Sequence, residues 1–246
     1  MTALSDLSAA DRHRAIAADF AAEADAVTDW SAPSPVDGWT ARDVVAHLVD
    51  WFPGFLAAGG VTLESVEIGD DPAAAWRQRA DAVQRLFDRG DDDFTHPQIG
   101  TFPLADAIDR FYTADVFMHT WDLAQADGRR PDLDGAFAER LLAGMSGIEE
   151  MLRSSGQYGP AFPAPDGADP VVRLAAFIGR DPGFVSQSAA HCGSRPANAR
   201  TWSVSSLPAV ASTAAANTPG RRVASSGTFA KTPRMKVTAS VGKRTD

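Results

Sequence analysis

A helical period is the strongest constraint on this chain. Its apolar residues recur three and four apart over several long stretches, the spacing that lines one face of an α-helix. The first stretch runs from about Ala9 to Val27 and sets Ile16, Phe20 and Val27 on one stripe. The second starts at Thr40, where Asp43 three residues on makes a capping box with Asp in place of Glu. Val44, Val45, Leu48, Phe52 and Phe55 follow at helical spacing, and Pro53 is expected to kink the end. A third helix opens with Asp71 as N-cap and Pro72 at its first position, with Trp76, Ala80, Val83 and Phe87 as its stripe. The turn-rich piece FTHPQIGTF, Phe94 to Phe102, is expected to form a short hairpin. A long fourth helix spans about Pro103 to Ala126, with Gly128 just past its end. A fifth begins near Asp134 and uses Phe137, Leu141, Met145, Ile148 and Leu152. A short last helix starts at Asp169–Pro170 and ends at Gly179. There is no βαβ alternation and no internal repeat. The expected fold is therefore all-α, a four-helix bundle with a short hairpin or loop before the long fourth helix.

The chain changes character near Pro182. Residues 1–182 carry 14 Arg, no Lys and 31 acids, whereas residues 183–246 carry 9 basic residues and one acid. The overall net charge of −9 averages an acidic part and a basic one. The second part is rich in Ser, Thr and Ala and has no long amphipathic period, so it cannot bury enough apolar surface to offset its ordering entropy. We expect a folded domain over 1–182 and a disordered tail over 183–246. The tail is read either as a solvated extension or as a basic arm that touches acidic partners, its own acidic domain included.

Composition also excludes several classes. One cysteine, Cys192, rules out an internal disulfide framework and a Cys-rich zinc site, and with no His or acid beside it, it reads as an incidental thiol. No run approaches the roughly 18 apolar residues of a membrane span. The first residues lack the pattern of a secretory signal, so a cytoplasmic protein is expected. An acidic, lysine-free domain argues against nucleic-acid binding. Phosphate-loop, dinucleotide and serine-nucleophile signatures are absent.

The fourth helix carries the chemistry. On a straight wheel Leu104, Ile108, Phe111, Tyr112 and Leu123 share one side, and Asp115 and His119 fall in the middle of it. Two polar residues four apart are thus aimed inward, with Cβ atoms about 5–6 Å apart. A buried carboxylate must be paired or bound to a metal. One reading is an Asp–His hydrogen bond that fixes the core. The other is a divalent ion reached by both side chains, and helix two offers a third ligand in His47, at the flank of its stripe. Taken alone, His47 reads as a satisfied, partly buried side chain. With Asp115 and His119 it makes a His/Asp/His set that leaves a position open for water or substrate.

Other residues have two readings each. Asp43 either caps helix two or orients His47. Asp122 either supports His119 or bonds a neighbouring helix. His96 is read as an exposed loop residue, with a fourth metal ligand as the rival reading. His13 and His191 are expected to face solvent or lie in disorder. Trp39, Trp51 and Trp121 flank the proposed ligands, as core or as walls of a substrate pocket.

GWTARDVVAHL (Gly38 to Leu48) followed by DVFMHTWDLA (Asp115 to Ala124) resembles the DinB-like superfamily. More narrowly it is similar to the N-terminal metal-binding domain of mycothiol-dependent maleylpyruvate isomerases, a mainly actinobacterial group. QYGPAFPAPDGADPVVRLAAFIGRDP, Gln157 to Pro182, looks like the ending of short, single-domain members, so the likeness covers roughly residues 8–182. The resemblance implies a bundle holding one divalent metal through His47, Asp115 and His119, with Asp115 where members often have Glu. It implies a thiol cosubstrate, mycothiol, and a small electrophilic substrate. The isomerases carry a second domain that contributes to the active site, and residues 183–246 do not resemble one. The expectation is accordingly general: a metal-dependent thiol transferase or isomerase-like enzyme. A metal-dependent hydrolase and a non-catalytic, stress-associated metal-binding module are the alternatives. Zinc suits two His and a carboxylate best, with nickel, iron or manganese also compatible. A homodimer is compatible with the apolar stripes.

Overall fold

The structure, a computed structural model, describes residues 2–186 apart from 91, 155 and 157. The expected tail beyond 186, with His191 and Cys192, lies outside the described residues.

Helix α1 is Ala9–Asp25, α2 is Ala41–Ala58 and α3 is Pro72–Gln84. A hairpin of β1 (Asp93–His96) and β2 (Gly100–Pro103) comes next, pairing Phe94 with Phe102 and His96 with Gly100. Then comes one continuous helical column: α4 (Leu104–Ala107), a π-helical segment (Ile108–Thr113) and α5 (Ala114–Ala126). Helices α6 (Gly135–Ser146), α7 (Glu149–Ser154) and α8 (Pro170–Phe177) complete the described residues. The fold is mostly helical, as expected. Helix α1 packs on α3 and α5, and α2 packs on the same two. The four helices therefore form a ring in the order α1, α3, α2, α5. Helix α6 lies against α8. None of the described helices is long and apolar enough to cross a membrane.

The helix starts are written in the sequence. Thr40 and Asp43 make the expected capping box. Asp71, Asp134 and Asp169 each accept from a backbone N–H in the first turn of the helix they precede. Each such cap contributes about 1 kcal/mol. The expected hairpin forms, and its Phe94 is fully buried. Phe20, Phe52, Phe55, Trp76 and Tyr112 are fully buried, and Phe117 meets Phe137 of α6.

Three expectations need correction. First, α5 is not a helix with one apolar stripe, because nearly every one of its residues is buried. A helix buried on all sides loses its polar face. The π-helical turn before it takes in about one extra residue, which rotates α5 by about 100° relative to a straight wheel. Val116, Thr120 and Leu123 are completely buried, while Asp115 keeps 18% of its side chain exposed and Phe111 is only half-buried. Second, the fifth helix breaks at Gly147 into α6 and α7, leaving Ile148 exposed. Two glycines in four residues, Gly144 and Gly147, weaken the helix where little packs against it.

Third, His13 does not face solvent. It is 1% exposed, lies three residues before Ile16 on the same face, and pairs through Nδ1 with the Gln84 amide oxygen at 2.8 Å. Its ring lies against Phe87 and Tyr112. Burial, with help from nearby Arg14, lowers its pKa to about 4 despite the Gln84 hydrogen bond. Its native pKa therefore lies below the unfolded value of about 6.5. Between the two, the unfolded chain binds the extra proton. The stabilisation is fully present above pH 6.5 and is lost as pH falls through 4, on the order of 3 kcal/mol. The His13→Phe variant, followed by denaturant unfolding from pH 7.5 to 4, should lose stability less steeply than the parent chain over that interval.

Candidate metal centre

Three side chains that the sequence singled out meet between α2 and α5. One ligand atom from each of His47, Asp115 and His119 lies within 4.8 Å of the other two. His47 Nε2 is 3.0 Å from one Asp115 carboxylate oxygen, and His119 Nε2 is 3.5 Å from the other. The capping box fixes where α2 starts and so which face His47 occupies. Asp43 is spent on that cap: its Oδ2 accepts from the Thr40 N–H at 2.8 Å and the Thr40 hydroxyl at 2.7 Å. The orienting role weighed for it is not what its contacts show.

Asp122 supports His119, and its second partner lies not on a neighbouring helix but in the chain just past α8. Its Oδ2 accepts from His119 Nδ1–H at 2.9 Å. Its two oxygens also accept from Arg180, Nε at 3.0 Å and Nη2 at 2.9 Å. Asp122 is completely buried, and burial alone would raise its pKa. The Arg180 charge and the His119 hydrogen bond outweigh that and hold it down to about 2. Burial opposes the charge of Arg180 as well, yet the Asp122 carboxylate raises its pKa.

Arg180 was not singled out from the sequence, although it closes the stretch that carried the family likeness. Its placement results from a glycine. Helix α8 ends in a Schellman motif: Gly179 N–H bonds Ala176 O at 3.1 Å and Arg180 N–H bonds Ala175 O at 2.9 Å. Gly179 has φ of 91°, and a Cβ there would sit 2.9 Å from Gly159 Cα. Two loops cross at this pair of glycines, flanked by Tyr158 on one and Arg180 on the other. Arg153 ties the crossing by donating to Gly159 O and Phe177 O. Burial raises the Tyr158 pKa, and the Asp115 charge adds to the effect, so the phenol stays protonated beside the centre.

The donor set fits a divalent ion. His119 bonds Asp122 through Nδ1, which turns Nε2, the nitrogen a metal would take, toward an Asp115 oxygen. Burial holds the His47 pKa low against the pull of Asp115, keeping that ring in the neutral form a metal requires. Burial would raise the Asp115 pKa, but His119, His47 and Arg180 together lower it, so it is an anion. Two imidazoles and a carboxylate are a zinc-type set, and the Asp122–His119 hydrogen bond is the usual support of a metal-bound His.

Aromatic rings wall the centre. Trp39 stacks on His119 at 5.8 Å between centroids and lies 5.1 Å from His47. Trp51 stacks on His47 at 6.0 Å. Trp121 is part of the core instead. His96 is not an exposed loop residue. It ends β1, is 2% exposed, and stacks on Phe55 at 4.8 Å. It is not among the side chains gathered with Asp115, so the three-donor set has no fourth His, Cys, Asp or Glu among the described residues.

The family described as the mycothiol maleylpyruvate isomerase N-terminal domain matches residues 13–124, which contain all three gathered side chains. Two curated relatives, both uncharacterized proteins of Mycobacterium tuberculosis from different strains, are each 30% identical over 156 residues. Each match covers 60% of this chain and 83% of the relative. No solved structure matches the chain. The chain belongs to the mycothiol maleylpyruvate isomerase N-terminal domain family.

Proposed function

We propose that His47, Asp115 and His119 hold one divalent metal ion, zinc by the chemistry of the donors, as the centre of a mycothiol-type thiol transferase or isomerase-like enzyme. The observation that carries this is the gathering of one ligand atom from each of the three side chains within 4.8 Å, with His119 turning Nε2 toward Asp115 while Nδ1 is bonded to Asp122. Bound there, the ion would lower the pKa of a low-molecular-weight thiol in its open position and present a thiolate at neutral pH. Asp122 and Arg180 keep the His119 ring in one tautomer and one orientation. Trp39 and Trp51 exclude water from one side of the centre. The Tyr158 hydroxyl, protonated and near Asp115, is placed to donate to the oxygen of a small electrophile. The thiol and the electrophile are the partners this reading requires. Residues 1–182 are proposed as the working domain, in the cytoplasm where such thiols are found.

Metal analysis of the purified chain tests the centre. About one ion per chain is expected after supply of zinc, and none for His119→Ala. An Asp122→Asn chain should bind the metal about 10–100-fold more weakly, the usual loss when the partner of a metal-bound His is removed. A parent chain that takes up no stoichiometric ion from zinc, nickel, iron or manganese would end this reading.

Thiol dependence tests the chemistry. Consumption of a small electrophile should require added thiol and cease on chelation. Turnover without thiol would identify a hydrolase instead, and metal binding without thiol binding a non-catalytic module.

A further inference from the structure

Two imidazoles that share one ion must both aim a lone pair at it, and a lone pair lies in the plane of its ring. Rotation about the bond from Cβ to the ring carries that lone pair off the ion. This torsion is broad in histidine, so the side chain does not fix its own plane. The Asp122 hydrogen bond restrains the ring of His119. A second restraint touches both rings. The Trp39 indole lies nearly parallel to His119, with 17° between the planes and 5.8 Å between centroids, and it meets His47 at 5.1 Å. The two imidazoles stand edge to face, 63° apart at 4.8 Å.

The loop that carries Trp39 has little freedom. At its base Ala41 N–H donates to Ala32 O at 2.9 Å and Arg42 N–H to Trp30 O at 3.1 Å, and Pro33 pairs with Thr40 as a short antiparallel bridge. At its tip both backbone groups of Trp39 are engaged: its N–H donates to Val36 O at 3.0 Å and its O accepts from Ser34 N–H at 2.8 Å. Ser34 is buried, and its hydroxyl accepts from Val36 N–H at 3.2 Å. Gly38 has φ of 78°, the value that the third residue of a type II turn takes and that glycine adopts without strain. The next residue, Thr40, caps α2. The indole is therefore mounted directly on the start of the helix that bears His47, and it reaches across to His119 on α5.

We propose that Trp39 is a positioning residue of the metal centre: held by this closed loop, its indole fixes the planes of His47 and His119 so that their nitrogens converge with Asp115 before an ion arrives. Rings already in place spare the ion the cost of ordering them, which raises affinity. The role deepens the metal reading and rests on it. It differs from space filling, in which any apolar side chain of similar bulk would serve.

The test uses the full chain with zinc and with cobalt(II), whose visible spectrum reports the arrangement of its donors. Trp39→Leu removes the ring and keeps apolar bulk, whereas Trp39→Phe keeps a ring. The Trp39→Leu chain should bind both ions about tenfold more weakly, the size of one or two lost ring contacts. Its cobalt spectrum should shift or broaden, and the Trp39→Phe chain should recover most of the affinity and the parent's spectrum. In the metal-free parent the indole's ring current should move the His119 ring protons upfield, and Trp39→Leu should reverse that shift. A Trp39→Leu chain that keeps the parent's affinity and spectrum would overturn the role. So would Trp39→Phe and Trp39→Leu chains that are equally impaired, with Tm falling in step, since that is the mark of space filling. Gly38→Ala leaves the indole and disturbs its mounting, and it serves if Trp39→Leu does not fold. It should weaken cobalt binding in the same direction, and a Gly38→Ala chain with unaltered affinity and spectrum would count against the mounting and so the role. A parent chain that takes up neither ion fails the metal reading and this role with it. A parent that binds while Trp39→Leu binds equally well fails this role alone.

Discussion

A carboxylate with no access to solvent organises this protein. Asp122 lies at the centre of the fold, where an unpaired charge would be strongly destabilising, by about 3–5 kcal/mol. Arg180 meets it with two nitrogens and His119 with one. Both partners have consequences. To bring Arg180 there, the chain after α8 must turn back over α5, and the Schellman turn at Gly179 does so at a point where no side chain fits. To satisfy the carboxylate from its other side, His119 must hold its proton on Nδ1. The remaining nitrogen then points to Asp115, and the centre acquires its donors. One buried charge therefore links the last described helix to the site.

The long helical column does the rest of the positioning. A π-helical turn over Ile108–Thr113 leads directly into α5 and shifts the phase of every residue after it. Val116, Thr120 and Leu123 are completely buried, and Asp115 and His119 come beside His47. The aromatic rings of α2 continue that side toward the hairpin. Trp39 and Trp51 lie against the two imidazoles of the centre.

Much of this is legible in the sequence. The caps at Thr40, Asp71, Asp134 and Asp169 are local contacts between residues two or three apart, which a sequence displays directly. The triad of His47, Asp115 and His119 is visible because polar residues stand where a helix should be apolar. What misleads is also local. A straight wheel cannot anticipate a π turn, so it sets Phe111 too deep and gives α5 a single stripe. Short-range habits put His13 in solvent and His96 in an exposed loop. His13 in fact sits on the Ile16 face of α1, opposite Gln84, and His96 sits under Phe55.

The sequence by itself determined which segments are helical, where they begin, and that three ligand-type residues lie on two inward faces. Those properties depend on period and on neighbours within a turn. Tertiary structure alone decided the partners across the chain: Arg180 for Asp122, 58 residues apart, and Gln84 for His13, 71 apart. It also decided that Tyr158 and Arg180 would arrive together at a crossing of two glycines. No period encodes such pairings, because they arise when buried charges and donors find whichever group the packed helices bring within reach.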